Sequence, residues 1–232
     1  MIPIYIVSYQ NEERRKRMIH RFKTLRLDHL ITFTPEVRQT DRRLSFMAEK
    51  RNASIMLQHL DSLRLFLETS HECCIVCEDD IHISKTFAEK LPAILHDFKE
   101  MKMDVMMLGY ILTFSIDMNS EFHQGYFPYA NKQDDRILMA SHTYHSYPDD
   151  IWGSQMYLVS RSYASYLLDT YDCAEKNIET IQKKPYNPDW VITKPSKRVL
   201  IYPMVALEEK NDGGQNYDYG KQYRSHYHSD FL

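Results

Sequence analysis

The sequence predicts an α/β fold of three layers, in which helices cover both faces of a mostly parallel sheet. Apolar runs typical of buried strands alternate with segments of helical periodicity along most of the 232-residue chain. A chain of this length supports one substantial core and is short for two. Hydrophobic residues make up 43% of it and charged residues 26%, which is ordinary for a soluble globular protein. We therefore expect one domain over residues 1–210 and a polar, mobile C-terminal tail over residues 211–232.

Strand and helix signals follow one another closely in the first third of the chain. Residues 2–7 are apolar and rich in β-branched side chains, which predicts a first strand. Residues 12–23 place their apolar side chains on one helical face, and residues 30–34 are a second strand candidate. Residues 52–69 carry a methionine and leucines at helical spacing. They lead into the apolar run 73–77, which predicts a buried strand.

The alternation continues to the end of the predicted domain. Ser160 is the expected N-cap of a helix over residues 161–171, because its hydroxyl can accept from a free amide of the first turn. A long excursion over residues 111–148, containing one hairpin, interrupts the pattern, and such excursions often carry binding function. The remaining elements are a helix over residues 87–98 and strands over residues 104–109, 151–159 and 199–203.

An acidic triplet directly follows the apolar run 73–77. Glu78, Asp79 and Asp80 are consecutive carboxylates at the mouth of a buried strand, where they repel one another and lose solvation. A cation would relieve this, and hard oxygen ligands suit Mg²⁺ or Mn²⁺ shared with substrate phosphates. The alternative is an acidic loop that precedes the next helix, with Ser84 as its N-cap.

Basic residues are concentrated at the start of the first predicted helix. Arg14, Arg15 and Lys16 oppose the helix dipole there, so their position needs another reason. An anionic ligand at the tip of the first strand would supply one, and a solvated basic face is the alternative.

Composition excludes several classes of function. A net charge of −3 and a pI near 6.4 argue against a general nucleic-acid binder. Neither a P-loop nor a dinucleotide-binding glycine pattern occurs among the six glycines. Cys74 and Cys77 form a C-x-x-C with apolar flanks and no second pair, which favours buried thiols in a reducing compartment over zinc. No stretch has the length of a signal-peptide core or a membrane span, so we expect a cytoplasmic protein that meets membranes only through its substrate.

Four segments of the chain carry a family pattern. They are residues 5–8 with Arg14 and Arg15, residues 54–60, residues 75–81 and residues 152–161. In order and spacing they resemble glycosyltransferase family 25, which includes bacterial lipooligosaccharide galactosyltransferases and animal collagen galactosyltransferases. Residues 187–190 and 202–203 also fall where the family has a Pro-x-Asp turn and a Tyr-Pro. Gln58 interrupts the family's serine–histidine pair, and the excursion over residues 111–148 shows no resemblance.

The resemblance implies a GT-A fold whose acidic motif binds Mn²⁺ or Mg²⁺ and, through it, the diphosphate of a UDP-sugar. Asp80 would be a metal ligand, assisted by Glu78 or Asp79. Glu208 or His228 would complete the set from the C-terminal side. The nucleotide side would comprise Val7, Ser8, Arg14, Arg15, Ser54, His59, Glu78 and Asp79.

Family resemblance also implies transfer of a hexose, galactose or glucose, with inversion, to a hydroxyl of a glycan or glycoprotein. Inversion needs a base that takes the acceptor's proton. Asp189, beside Trp190, is the first candidate and Asp150 the second, although either could be an ordinary turn or capping residue. Two other functions stay open: a metal-dependent phosphohydrolase, and a non-catalytic glycan-binding protein on the same fold.

Overall fold

A computed structural model describes residues 1–111, 143–146, 152–173, 175–183, 185–202, 204–209 and 231–232. Its strands are β1 (Ile4–Val7), β2 (Ile31–Phe33), β3 (Cys73–Glu78), β4 (Ile81–Ile83), β5 (Val105–Ile111), β6 (Thr143–Ser146), β7 (Trp152–Ser160), β8 (Arg198–Tyr202) and β9 (Ala206–Glu208). Its α-helices are α1 (Glu12–Thr24), α2 (Lys50–Leu67), α3 (Phe87–Met101), α4 (Arg161–Tyr171), α5 (Ile178–Gln182) and α6 (Pro188–Val191), and short 3-10 helices lie at Asp28–Leu30, Arg42–Leu44 and Glu175–Asn177.

Within the described part of the chain, a central sheet has the strand order β2-β1-β3-β7-β5-β8-β6. β1 is parallel to β2 and β3, and β5 is parallel to β8. β7 runs antiparallel between β3 and β5, and β6 is antiparallel at the edge. Five of these seven strands therefore share one direction, which confirms the mostly parallel sheet. Because β7 is reversed, its first residues lie beside the last residues of β3.

Helices pack on both faces of this sheet. One apolar cluster joins the sheet to α2, α4, α5 and α6, and a second joins it to α1 and α3. The three-layer α/β/α sandwich predicted from the sequence is thus confirmed. Alternation along β3 sends Cys74 to the first cluster and Cys77 to the second, so the two thiols cannot share a metal ion. Both are free and buried, and burial raises the pKa of each.

Local capping agrees with the sequence in one place and differs in another. Ser160 caps α4 as predicted, accepting from the amide of Tyr163. Ser84 does not cap α3: that helix begins at Phe87, and the residue at its N-cap position, Thr86, makes no capping hydrogen bond through its side chain. The amide of Ser84 instead donates to Val205 O, and the residue forms an isolated antiparallel bridge with Phe231.

The two predicted irregular regions are described only in part. Strand β6 falls within the excursion, whose residues 112–142 and 147–148 lie outside the described part of the chain, as do residues 211–230 of the expected tail. The last two residues lie against β4, where the amide of Leu232 donates to Ile83 O at 2.9 Å. None of the described helices combines the length and the apolar character that a membrane crossing requires.

Strand β9 reaches the edge of the sandwich through a close approach to β5. A Cβ atom on Gly109 would lie 2.8 Å from Ala206 O and 3.0 Å from Ala206 Cβ, so only glycine fits there. The amide of Val205 donates to Leu108 O at 2.9 Å and fixes this approach. β9 also pairs with β4, with Glu208 opposite Ile81. Gly109 therefore sets the position of Glu208 relative to the triplet.

We expect Gly109→Ala to lower the free energy of unfolding by about 1–3 kcal/mol, because the added methyl group overpacks against backbone that cannot move alone. Chemical denaturation followed by circular dichroism measures the change. Ala206→Gly, which removes a side chain from the same contact without adding one, is the control and should cost less. A Gly109→Ala variant as stable as the native protein would contradict the close approach.

Candidate active site

The acidic triplet lies where the parallel strands of the sheet end. Glu78 is the last residue of β3 and is paired with Val7, the last residue of β1. Asp79 and Asp80 follow in a bend before β4. In open α/β sheets ligands bind at this carboxyl edge, outside the ends of the strands. The position of the triplet is therefore the one expected of a binding site.

Two side chains from the N-terminal segment hold the aspartates of the triplet. Ser8 Oγ donates to Asp79 Oδ2 at 2.6 Å. Arg14 Nη1 lies 3.3 Å from Asp79 Oδ1 and 3.1 Å from Asp80 Oδ2. The amide of Arg14 donates to the side chain of Asn11, the N-cap of α1, which fixes where this arginine emerges. The cation at the helix start thus has an anionic partner, the two aspartates of the triplet.

Arg15 has a different environment from Arg14. Its guanidinium lies 4.3 Å from the centre of the Phe33 ring, on β2. This is a cation–π contact, in which the Phe33 ring and not the triplet stabilises the charge of Arg15. Of the two arginines predicted to face the nucleotide, the structure brings Arg14 to the acidic residues.

Glu78 is joined to Asp189 through a serine at the start of β7. Ser154 Oγ lies 3.3 Å from Glu78 Oε1 and 3.1 Å from Asp189 Oδ1. Backbone amides of Gly153 and Ser154 also donate to the Asp189 carboxylate. Gly153 has φ 108°, a backbone conformation that residues other than glycine rarely adopt. This conformation directs its amide toward Asp189. The reversed direction of β7 is what brings this turn to the triplet.

Short helix α6 presents Asp189 to the site. Asn187 caps this helix by accepting from the amide of Trp190. Asp189 is therefore in the first turn of a capped helix, one of the ordinary roles expected for it, and in addition it reaches the triplet through Ser154.

Glu208 comes to the same region from β9. It lies opposite Ile81 in the two-stranded pairing with β4. The next residue, Glu209, donates its amide to Asp80 O and forms an ion pair with Arg21, whose side chain is only 7% exposed. This ion pair and the β4 pairing fix the end of β9 beside the triplet.

Beside Asp79, four carboxylates whose pKa values are raised lie together in one corner of the protein: Glu78, Asp80, Asp189 and Glu208. Burial raises the pKa of Glu78 well above its usual value, and the charges of Asp80 and Asp189 raise it further. Burial, then the charges of Asp80 and Asp189, raise the pKa of Glu208 to about 7. Burial also raises the pKa of Asp80 and of Asp189. Arg14 opposes the shift at Asp80 and at Glu208 without cancelling it.

Behind Glu78 lies a fully buried histidine. His59 Nδ1 lies 3.0 Å from the Tyr157 hydroxyl, and the two rings stack. His59 Nε2 has no hydrogen-bond partner among the described residues and lies 3.8 Å from Glu78 Oε1. Burial lowers the pKa of His59 to about 3, so the imidazole is neutral. If Tyr157 donates to Nδ1, the Nε2 proton faces Glu78.

The neighbouring positions of α2 support the site from a distance. Ser54 donates its hydroxyl to Arg51 O within the helix and so is used locally. Gln58, which interrupts the family's serine–histidine pair, donates to Ser8 O and Thr34 O at 3.0 and 3.1 Å. It ties together the chain segments that follow β1 and β2.

A divalent metal fits this corner only in combination with other oxygen donors. Among the described residues, no three histidine, cysteine or carboxylate side chains converge as a ready metal site. Asp80 Oδ1 is nevertheless buried with no hydrogen-bond partner in the described part of the chain, as an oxygen that binds a ligand would be. Mg²⁺ is commonly held by one or two carboxylates plus substrate phosphates, which this donor set matches. Asp80, Glu78 and Glu208 are the available ligands, while Asp150 and His228 lie outside the described residues.

Sequence reasoning did not single out Ser154 or Tyr157. Both fall in a correctly predicted strand, but their contacts depend on β7 being antiparallel to β3, which the periodicity of one strand does not reveal. The glycine at position 153 was the available signal, since an isolated glycine in a strand pattern indicates a close or irregular backbone.

Solved structures of related shape were found at low identity. One is the crystal structure of mannose-1-phosphate geranyltransferase from Thermus thermophilus, with 10% identity and a TM-score of 0.49, covering 90% of this chain and 74% of that one. Another is a glycosyltransferase involved in the glycosylation of the major capsid of PBCV-1, with 9% identity and a TM-score of 0.45, covering 97% of this chain and 100% of that one. A comparison with curated proteins found no match.

The family comparison covers the core of the site. The pattern described as glycosyltransferase family 25 (LPS biosynthesis protein) matches residues 56–181, more than half of the chain. This span includes His59, the acidic triplet and Ser154. The chain therefore belongs to glycosyltransferase family 25.

Proposed function

We propose that this glycosyltransferase is metal-dependent and moves a hexose, galactose or glucose, from a UDP-sugar to a hydroxyl of a glycan or glycoprotein with inversion. The main support for this proposal is the group of four carboxylates at the carboxyl edge of the sheet, whose pKa values are all raised. The negative charges of such a group repel one another, and a bound divalent cation would reduce this repulsion. The cytoplasmic location expected from the sequence, and the absence of a nucleic-acid partner, stay predictions.

On the donor side, Asp80 would hold Mn²⁺ or Mg²⁺ together with Glu78 or Glu208. When bound, the ion would neutralise the negative charge that grows on the diphosphate as UDP departs. Ser8 holds Asp79 through a 2.6 Å hydrogen bond, which fixes the bend that presents Asp80. Arg14, which lies 3.1 Å from Asp80 Oδ2, would supply a further positive charge to the phosphates.

On the acceptor side, Asp189 would take the proton from the attacking hydroxyl. Burial raises its pKa, which makes it a stronger base than an ordinary aspartate. Ser154 and the adjacent backbone amides orient its carboxylate by hydrogen bonds. His59, neutral and enclosed, does not serve as the base in this scheme.

Asp80→Asn should remove the stabilisation that Mn²⁺ and UDP together give the native protein in a thermal melt. The asparagine lacks the charge that binds the ion, while the fold should be kept because burial disfavours that charge in the free protein. Asp169→Asn, an exposed change on α4, is the control. If Mn²⁺ and UDP raise the melting temperature of the Asp80 variant as much as that of the native protein, Asp80 does not bind the ion.

Asp189→Asn should leave binding of the UDP-sugar close to native and lower the transfer rate by about 100- to 10,000-fold, the usual contribution of a general base. Binding is measured by calorimetry and transfer by release of UDP in the presence of an acceptor. Native turnover in this variant would mean that another residue accepts the proton.

The metal-free protein should lose stability as the pH rises from about 4.5 to about 7. In this window the folded protein keeps the Glu208 proton, because its pKa is raised to about 7, whereas the unfolded chain releases it. The free energy of unfolding therefore falls as the pH increases. Thermal melts in chelator at several pH values measure the decline, which Glu208→Gln should make shallower. Glu100→Gln, an exposed change, should leave it unaltered; the opposite pH trend in the native protein would contradict the shift.

A further inference from the structure

One cation lies between two carboxylates of the triplet. Arg14 Nη1 is 3.1 Å from Asp80 Oδ2 and 3.3 Å from Asp79 Oδ1. The guanidinium therefore occupies one side of the Asp80 carboxylate, and the other oxygen, Asp80 Oδ1, is buried and has no partner among the residues that the structure describes. The side chain of Arg14 is 28% exposed, so it retains room to move while its backbone is fixed by the Asn11 cap.

The position of Arg14 is unfavourable without an anion. It lies in the first turn of α1, where the helix dipole disfavours positive charge. Its acidic partners offset this, so the arginine and the aspartates stabilise each other. An ion that replaces Arg14 at Asp80 leaves the arginine with one carboxylate partner, Asp79, in place of two, so full compensation requires another anion.

A divalent ion alone does not meet that requirement. Binding at Asp80 would place its two positive charges close to the guanidinium, and such repulsion is strong between partly buried charges. Among the described residues no three ligating side chains converge to compensate for it. A diphosphate does meet the requirement, because it supplies oxygens to the ion and a planar, bidentate partner to arginine.

We infer that Arg14 makes capture of the metal depend on the diphosphate: it neutralises Asp80 in the free enzyme and passes to the phosphates when metal and nucleotide enter together. This inference rests on the proposed function and adds an order of binding to it. Metal and nucleotide should then bind with positive coupling, each raising the affinity for the other by the same factor.

The test measures binding of Mn²⁺ alone, of UDP alone and of both, by calorimetry on the full chain. The native protein should bind Mn²⁺ weakly alone and much more tightly with UDP. Arg14→Gln should bind Mn²⁺ alone about tenfold more tightly than native, since the competing charge is gone, and should lose most of the coupling. Arg14→Lys keeps the charge and should resemble the native protein for Mn²⁺ alone.

Lys23→Gln, an exposed change on the same helix, is the control for net charge and should behave as native. If Arg14→Gln binds Mn²⁺ alone no more tightly than native, while native binding of Mn²⁺ with UDP is intact, the inference is overturned and the proposed function stands. If the native protein binds neither Mn²⁺ nor UDP, the proposed function fails and the inference fails with it. Circular dichroism checks that each variant is folded.

Discussion

Mutual repulsion among carboxylates at one edge of the sheet is the main electrostatic cost that this fold must overcome. Glu78 ends β3, Asp80 follows it in the bend before β4, Asp189 comes from α6 and Glu208 from β9, and partial burial reduces the screening of their charges by water. Arg14 offsets only part of the repulsion. Folding must therefore force these groups together against an electrostatic cost, and the sandwich does so with elements that are fixed elsewhere in the core.

The positions of these carboxylates are determined mostly by features of the backbone. A reversed β7 brings Ser154 to the end of β3, and the glycine conformation at Gly153 aims an amide at Asp189. The missing side chain of Gly109 lets β9 approach β5, and the ion pair between Glu209 and Arg21 secures its end. These features have no chemistry of their own, yet they decide where the acidic groups lie. Sites built on rigid elements in this way keep their geometry.

Much of this could be predicted from the sequence. The triplet at a strand end is a local pattern, so periodicity found both the strand and its position. Family resemblance indicated Asp189 and Glu208, which sequence spacing alone does not connect to Asp80, and the structure brings all three together. The partner of Arg14 could not be predicted, because periodicity gives no information about which distant side chains meet. The contacts of Ser154 required the direction of β7, which is a property of the whole sheet.

The most direct measurement is a crystal structure of the protein with manganese and UDP, using anomalous scattering to locate the metal. We predict a manganese peak bonded to the Asp80 carboxylate and to diphosphate oxygens, with the Arg14 guanidinium on the phosphates. Nucleotide bound without manganese at Asp80, or the acidic side chains turned away from a bound diphosphate, would contradict it.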